Sequence, residues 1–222
     1  MTAPVELHID FVSDVVCPWC AIGLAGLQQA LARLDGEVRA DIHLQPFELS
    51  PDMPPEGEDT GEHVMAEYGI SEAEAEANRA TIRSRAAAVG LAYNTHLHSR
   101  IRNTFDAHRL LHWAGLQGPE KAVVLEQALF RAYFTEAENV ADRDVLVRIA
   151  EGAGLNAGEA RRVLDSSQYA AETRTEEHRF QQAGIRSVPA TIVNGRYLIS
   201  GGQPSDVFEG ALKEIAANAR AA

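Results

Sequence analysis

The only two cysteines of the chain, Cys17 and Cys20, stand with two residues between them. So close a pair cannot staple distant parts of a chain together, which excludes a secreted scaffold built on disulfides. The fold must rest on a hydrophobic core instead. With 222 residues, 45% of them hydrophobic, the chain has the material for one. Length alone allows one domain or two.

The residues around the pair read as a strand running into a helix. Val5 to Val12 (VELHIDFV) partly alternates and ends in β-branched and aromatic residues, as a strand does. From Pro18 to Leu34, the residues Leu24, Leu27, Leu31 and Leu34 share one helical face. Pro18 suits the first helical position, where its missing N–H is not needed, and Asp35-Gly36 closes the helix. Val38 to Phe47 alternates again, so the first three elements predict a right-handed β-α-β unit with a parallel strand pair.

Pro51 to Gly61 (PDMPPEGEDTG) reads as a linker. A capping box, Ser71-x-x-Glu74, then opens a helix running to about Gly90. Helices are predicted over Asn103–Ala114, Pro119–Thr135, Asp142–Ala150, Asn156–Leu164 and Gln168–Ala183. Asn194-Gly195, between Ala190–Val193 and Arg196–Ile199, predicts a two-residue type I′ hairpin. A last helix carries Val207, Phe208, Ala211, Leu212, Ile215 and Ala216 on one stripe, with Ser205 as its expected N-cap. The expected class is α/β: β-α-β, a helical block, then α-β-β-α. Residues 1–57 and 167–222 would form one discontinuous domain and 58–166 an inserted helical one.

Cys17 falls at the helix start, where unpaired N–H groups and the positive dipole end favour a thiolate, the attacking form in thiol–disulfide exchange. Cys20 lies one turn on, close enough to resolve a mixed disulfide. Pro18 fixes the turn, and Trp19 offers an aromatic surface to a substrate. The competing readings are a pair of inert core cysteines or half of a zinc site. Zinc lacks a second cysteine pair, and neither His96/His98 nor His108/His112 has the H-E-x-x-H pattern, so no metal is expected. The βαβ placement favours redox chemistry. Val188-Pro189 is the second constellation; read alone, it is an ordinary proline opening a strand.

Together these features resemble the thioredoxin fold, and the helical block resembles the insertion of DsbA-like proteins. Asp10–Gly23 (DFVSDVVCPWCAIG) is similar to the FrnE-like cytoplasmic branch of that family. Asn103–Leu110 (NTFDAHRL) and Gly184–Ala190 (GIRSVPA) are similar to that branch's second and third signatures. The resemblance implies that Cys17 is the nucleophile, that Cys20 is the resolving thiol, and that Pro189 is cis and packs opposite them. It implies that the Val188 backbone pairs with an extended substrate, and that Phe105 and His108 line the approach. For His108, packing at a seam between domains is the stronger reading. Relatives often hold a carboxylate beneath the resolving cysteine. Asp10 is the candidate proton acceptor, against the alternative of a surface charge, while Asp14 is expected in a solvated loop.

The expected activity is thiol–disulfide oxidoreduction, of the protein disulfide reductase or isomerase type. It would use a redox-active Cys17–Cys20 disulfide, no bound cofactor, protein or small thiol substrates, and an external thiol reductant or oxidant. One alternative is a glutathione-dependent isomerase or transferase of the kappa-class type, with glutathione as co-substrate near Val188, Gln203, Ser205 and Asp206. Another is a non-catalytic, chaperone-like binding module. The net charge of −12 argues against nucleic-acid or anionic-membrane partners. No membrane span or Sec signal is legible, so the cytoplasm is the expected location. The oligomeric state is left open.

Overall fold

A computed structural model of the protein describes residues 3–93 and 100–221. The first half holds β1 (Val5–Ser13), α1 (Pro18–Arg33), β2 (Val38–Pro46), β3 (Glu58–Asp59), α2 (Thr60–Tyr68), α3 (Glu72–Ala88) and β4 (Arg100–Ile101). Then come α4 (Phe105–Gly115), α5 (Pro119–Phe134), α6 (Arg143–Gly152), α7 (Ala157–Leu164), α8 (Ala170–Gln182), β5 (Ala190–Val193), β6 (Tyr197–Ser200) and α9 (Ser205–Ala221). His96 and His98 lie outside the described residues.

The main sheet has the order β2-β1-β5-β6. β1 runs parallel to β2 and antiparallel to β5, so the sheet is mixed. Alternation along β1 sorts its side chains. Leu7, Ile9 and Phe11 join the core formed with α1 and α9, while Val12 packs with Phe47, Phe180 and Ile185. The strand order and the helices on the sheet's faces are the thioredoxin-type arrangement expected from the sequence, in the α/β class.

A second core is helical and centres on Leu110, Leu125, Leu129, Leu146 and Leu164. α5 serves both cores: Leu125 and Leu129 point into the helical one, and Val123 and Phe130 into the one beneath the sheet. Val15 and Val16 belong to the helical core, whereas Cys17 and Cys20 belong to the other. The dithiol is therefore rooted on the seam between the two.

Several boundaries differ from the sequence reading. The expected linker Pro51–Gly61 ends in β3, which pairs with β4, and in the first residues of α2. α2 buries none of its residues, so no apolar stripe announces it. Its start is instead fixed by Asp59, whose carboxylate accepts from the Gly61 and Glu62 N–H groups. Asn194 and Gly195 have φ of 53° and 63°, and Arg196 N donates to Val193 O, as a type I′ turn requires. The register sets Val193 opposite Tyr197, however, so Arg196 joins the loop and makes it one residue longer than expected. Ser205 is the first residue of α9 rather than its cap; the Pro204 carbonyl accepts the Val207 and Phe208 N–H groups.

Arg109 of α4 ties the α7–α8 connection down. It is 3% exposed, and its guanidinium donates to the Gln168, Val163 and Ser166 carbonyls and to Asp106. A planar five-donor fork can satisfy these four acceptors at once, whereas an ammonium has only three donors. Arg109→Met keeps much of the volume but leaves those carbonyls unpaired. It is expected to destabilise the protein by about 3–5 kcal/mol in urea unfolding, and a loss below about 0.5 kcal/mol would show that the carbonyls find other donors.

Candidate active site

Cys17 is the N-cap of α1, with φ −91° and ψ 112°, and Pro18 takes the first helical turn. The Cys17 carbonyl accepts from Cys20 N at 3.0 Å and Ala21 N at 3.3 Å, and Cys17 N donates to Asp14 O at 3.0 Å. These bonds hold the two thiols on one helical turn. Both cysteines are free thiols, 4% and 0% exposed respectively. The Cys17 thiol points at the Val188 carbonyl, 3.7 Å away. The Val188–Pro189 peptide is cis.

Three glycines permit this meeting. A Cβ on Gly23 would lie 3.1 Å from Pro189 Cγ and 3.2 Å from Gly202 Cα. A Cβ on Gly26 would lie 2.8 Å from the Gln203 carbonyl, and one on Gly202 2.6 Å from the Trp19 carbonyl. α1 thus lies directly on the backbone of the 189–203 segment. Pro18 and Trp19 are half-buried on the same turn. The sequence reading assigned these glycines no role; small residues at i and i+3 on α1 were the available signal.

Behind the thiols lies a buried polar group that the sequence reading placed wrongly. Asp14 is 0% exposed rather than solvated. Its Oδ2 accepts from Leu49 N at 2.8 Å, and its Oδ1 lies 3.4 Å from His108 Nε2. Ser13 Oγ donates to Glu126 of α5. Burial pushes the Glu126 carboxyl up to about 7, against the Ser13 hydrogen bond and the charge of His108, which favour its ionised form. Burial lowers the His108 imidazole, but attraction to Asp14, Glu48 and Glu177 outweighs it and the net shift is upward. Burial, then Cys17 and more weakly Glu126, hold the Cys20 thiol well above its ordinary value, with a backbone hydrogen bond from Asp14 opposing.

Asp10 is not in this group. It bonds Gln45 Nε2 at 2.6 Å and faces His8 Nε2 at 3.3 Å. Strand alternation sets it on the face away from Ile9 and Phe11, which pack with the cysteines. The carboxyl acting on Cys20 comes from α5, remote in sequence and without a motif to announce it. Of the two residues that the resemblance set on the approach to Cys17, His108 is instead enclosed. His108 is 2% exposed at the seam, and Phe105 packs under the Arg174 guanidinium, 3.8 Å from its ring centre. Asn103 lies one residue before Thr104, the N-cap of α4, and its Oδ1 accepts from Phe105 N at 3.0 Å.

The folded-state value of Glu126 lies above its ordinary 4.5. Between that value and about 7 the unfolded chain holds fewer protons, so stability falls as pH rises through this window. The share due to Glu126 is about 3 kcal/mol. Glu126→Gln is expected to remove it, read as the change in urea-unfolding free energy between about pH 5 and 8. The further loss as pH rises through the raised value of His108 should remain. Identical pH dependence in both proteins would mean that Glu126 is not buried as an acid.

Gly26→Ala separates two opposed effects. Helix propensity alone favours alanine by up to about 1 kcal/mol. Collision with the Gln203 carbonyl should reverse the sign, giving a net loss of about 1–3 kcal/mol in urea unfolding. A stabilised variant would refute the close approach.

Comparison with known proteins places the fold as well. The family model for the DSBA-like thioredoxin domain matches residues 8–213. A probable DsbA oxidoreductase of Streptomyces coelicolor is similar, with 36% identity and a TM-score of 0.86 over 94% of this chain and 89% of that one. The cytosolic disulfide reductase DsbM of Pseudomonas aeruginosa, solved with GSH, shares the fold at 17% identity, with a TM-score of 0.62 over 93% and 98% of the two chains. A 2-hydroxychromene-2-carboxylate isomerase does so at 14% identity, with a TM-score of 0.71 over 97% and 99%. The chain belongs to the family of DsbA-like thioredoxin domains.

Proposed function

We propose that the protein is a thiol–disulfide oxidoreductase that uses Cys17 as nucleophile and Cys20 as resolving thiol. The observation that carries this reading is the placing of Cys17 at the N-cap of α1, 3.7 Å from the carbonyl that precedes cis-Pro189, with Cys20 on the next turn. The helix N-terminus directs unpaired N–H groups toward that position, which suits a sulfur anion.

In the reducing direction, the Cys17 thiolate attacks one sulfur of a substrate disulfide. A Cys17–substrate disulfide forms, and the other substrate sulfur leaves as a thiolate. Cys20 then loses its proton and attacks Cys17 Sγ, releasing the second substrate thiolate and closing the Cys17–Cys20 disulfide. The substrate gains two electrons and the pair loses two, which an external thiol of the glutathione type restores. The Val188 backbone and the half-buried Trp19 are the groups nearest an arriving chain. Deep burial of Cys20 makes its deprotonation the demanding step, and Pro189 keeps Val188 O beside the attacking sulfur.

A reducing compartment such as the cytosol suits a dithiol held ready to attack, and the FrnE-like placement rests on the three sequence signatures. Retention of Cys20 sets the protein apart from an isomerase that activates glutathione with a single residue. In insulin-disulfide reduction, Cys17→Ser is expected to abolish turnover. Cys20→Ser should still complete the first attack and accumulate a mixed disulfide on Cys17, visible in the intact mass. Turnover at the wild-type rate in Cys17→Ser would sink the proposal.

A further inference from the structure

Beside the dithiol, between the outer face of α1, the C-terminal end of α3 and α5, lies a cavity of about 360 Å³. Pro18, the neighbour of Cys17, stands on its wall, followed along α1 by Ile22 and Ala25. The opposite wall is aromatic. Tyr93 stacks on Phe134 with centroids 5.4 Å apart and planes 23° apart, and Phe130 follows at 6.1 Å. Gln127 Nε2 donates to Gln28 Oε1 at 2.7 Å on the lining. Among the described lining residues the single formal charge is Arg131, whose Nε donates to Glu136.

Protein interiors close to crystal-like density, and voids much larger than a water molecule are few. This site is instead a partly open cleft next to the reactive motif. Its volume falls within the range of small-molecule sites, whose walls are mainly apolar with a few polar groups. A dry apolar cavity of roughly 150 Å³ accepts benzene, so this one has room for two rings. Among the described lining residues there is no carboxylate, and the one guanidinium already has a partner, so a charged group inside would go largely uncompensated.

We infer that this cavity binds a small, neutral aryl group, and that it makes aryl disulfides preferred substrates, their ring held beside Pro18 while their sulfur reaches Cys17. The substrate half of this statement rests on the oxidoreductase reading above; the binding half does not. Ring stacking against Tyr93 and Phe134 and displacement of weakly held water supply the attraction. With an aryl disulfide, Cys17 attacks one sulfur and the arenethiolate leaves from the other. The two electrons move as in the cycle above, and an external thiol restores the pair.

The test uses one substitution that fills the cavity and two kinds of readout. Ala25→Trp places an indole in the space from α1, outside the thiol machinery, and Ala25→Leu fills it partly should tryptophan disturb folding. Binding is read with 2-naphthol by fluorescence titration, in wild type and in Cys17→Ser. Both should bind saturably, and Ala25→Trp should weaken binding by at least about tenfold. Turnover is read with 2,2′-dithiodipyridine against glutathione disulfide. Ala25→Trp should lower kcat/KM at least about tenfold for the first and change the second less than about twofold. Absence of saturable naphthol binding, or binding by folded Ala25→Trp and Ala25→Leu as tight as that of wild type, overturns the site. An equal fall for both disulfides, or none for either, overturns the substrate preference. Naphthol binding that Ala25→Trp removes, in a wild type that turns over neither disulfide, supports the site while the oxidoreductase reading fails.

Discussion

The position of the Cys17 sulfur depends on how closely α1 lies against the segment from Pro189 to Gln203. That approach is backbone against backbone: Gly26 faces the Gln203 carbonyl and Gly202 faces the Trp19 carbonyl, with no room for a side chain between. Gly23 leaves a slot that the Pro189 ring fills. Because the contact involves main chain on both sides, it cannot relax by rotating a side chain, and interiors transmit such displacements rather than absorb them. The sulfur-to-carbonyl distance at Val188 is thus inherited from the packing of a helix on a loop that is far away in sequence.

The same seam explains the buried polar group. Val15 and Val16 anchor the residues before the dithiol in the helical core, and this carries Asp14 inside as well. A charge brought out of water needs a partner. His108 supplies it from α4, while Leu49 N supplies a hydrogen bond from the chain after β2. Glu126, deeper and opposite Ser13, meets the cost of burial by holding its proton to higher pH. Three elements distant in sequence therefore converge on the rear of one C-x-x-C turn. The acid–base character of that turn belongs to the seam, not to the motif.

The aromatic cavity on the other side of α1 follows from the amphipathic division of that helix. Its inner residues, Leu24 and Leu27, reach the sheet core, while Ile22 and Ala25 look toward α3 and α5. Alanine at this position leaves space between α1 and these two helices, and Phe130 and Phe134 of α5 also line it. One helix thus presents a glycine face to the cis-proline, an apolar face to the sheet and a small-residue face to a cavity.

Much of the architecture was legible without coordinates. β1, α1, β2, the capping box at Ser71, the Asn194 turn and the stripe of α9 all follow from local rules: two-fold or helical spacing, a capping oxygen, a residue tolerant of positive φ. The Cys17–Cys20 spacing at a strand–helix junction was equally plain. Local rules failed where the deciding partner was remote. α2 buries no side chain and so leaves no periodicity. Asp14 resembles any loop aspartate until His108 faces it, and Asp10 resembles a candidate acid until strand alternation turns it to the other face. Glu126 sits in an unremarkable helical stretch, and a glycine on α1 shows its purpose only against Gln203. The sequence by itself determined which residues could do thiol chemistry and which elements would carry them, because spacing and propensity act within a few residues. Only the tertiary structure decided which carboxyl the thiols feel, how near the cis-proline stands and where a cavity remains open. Those depend on desolvation and close contact between segments more than 100 residues apart, as Ser13 and Glu126 are.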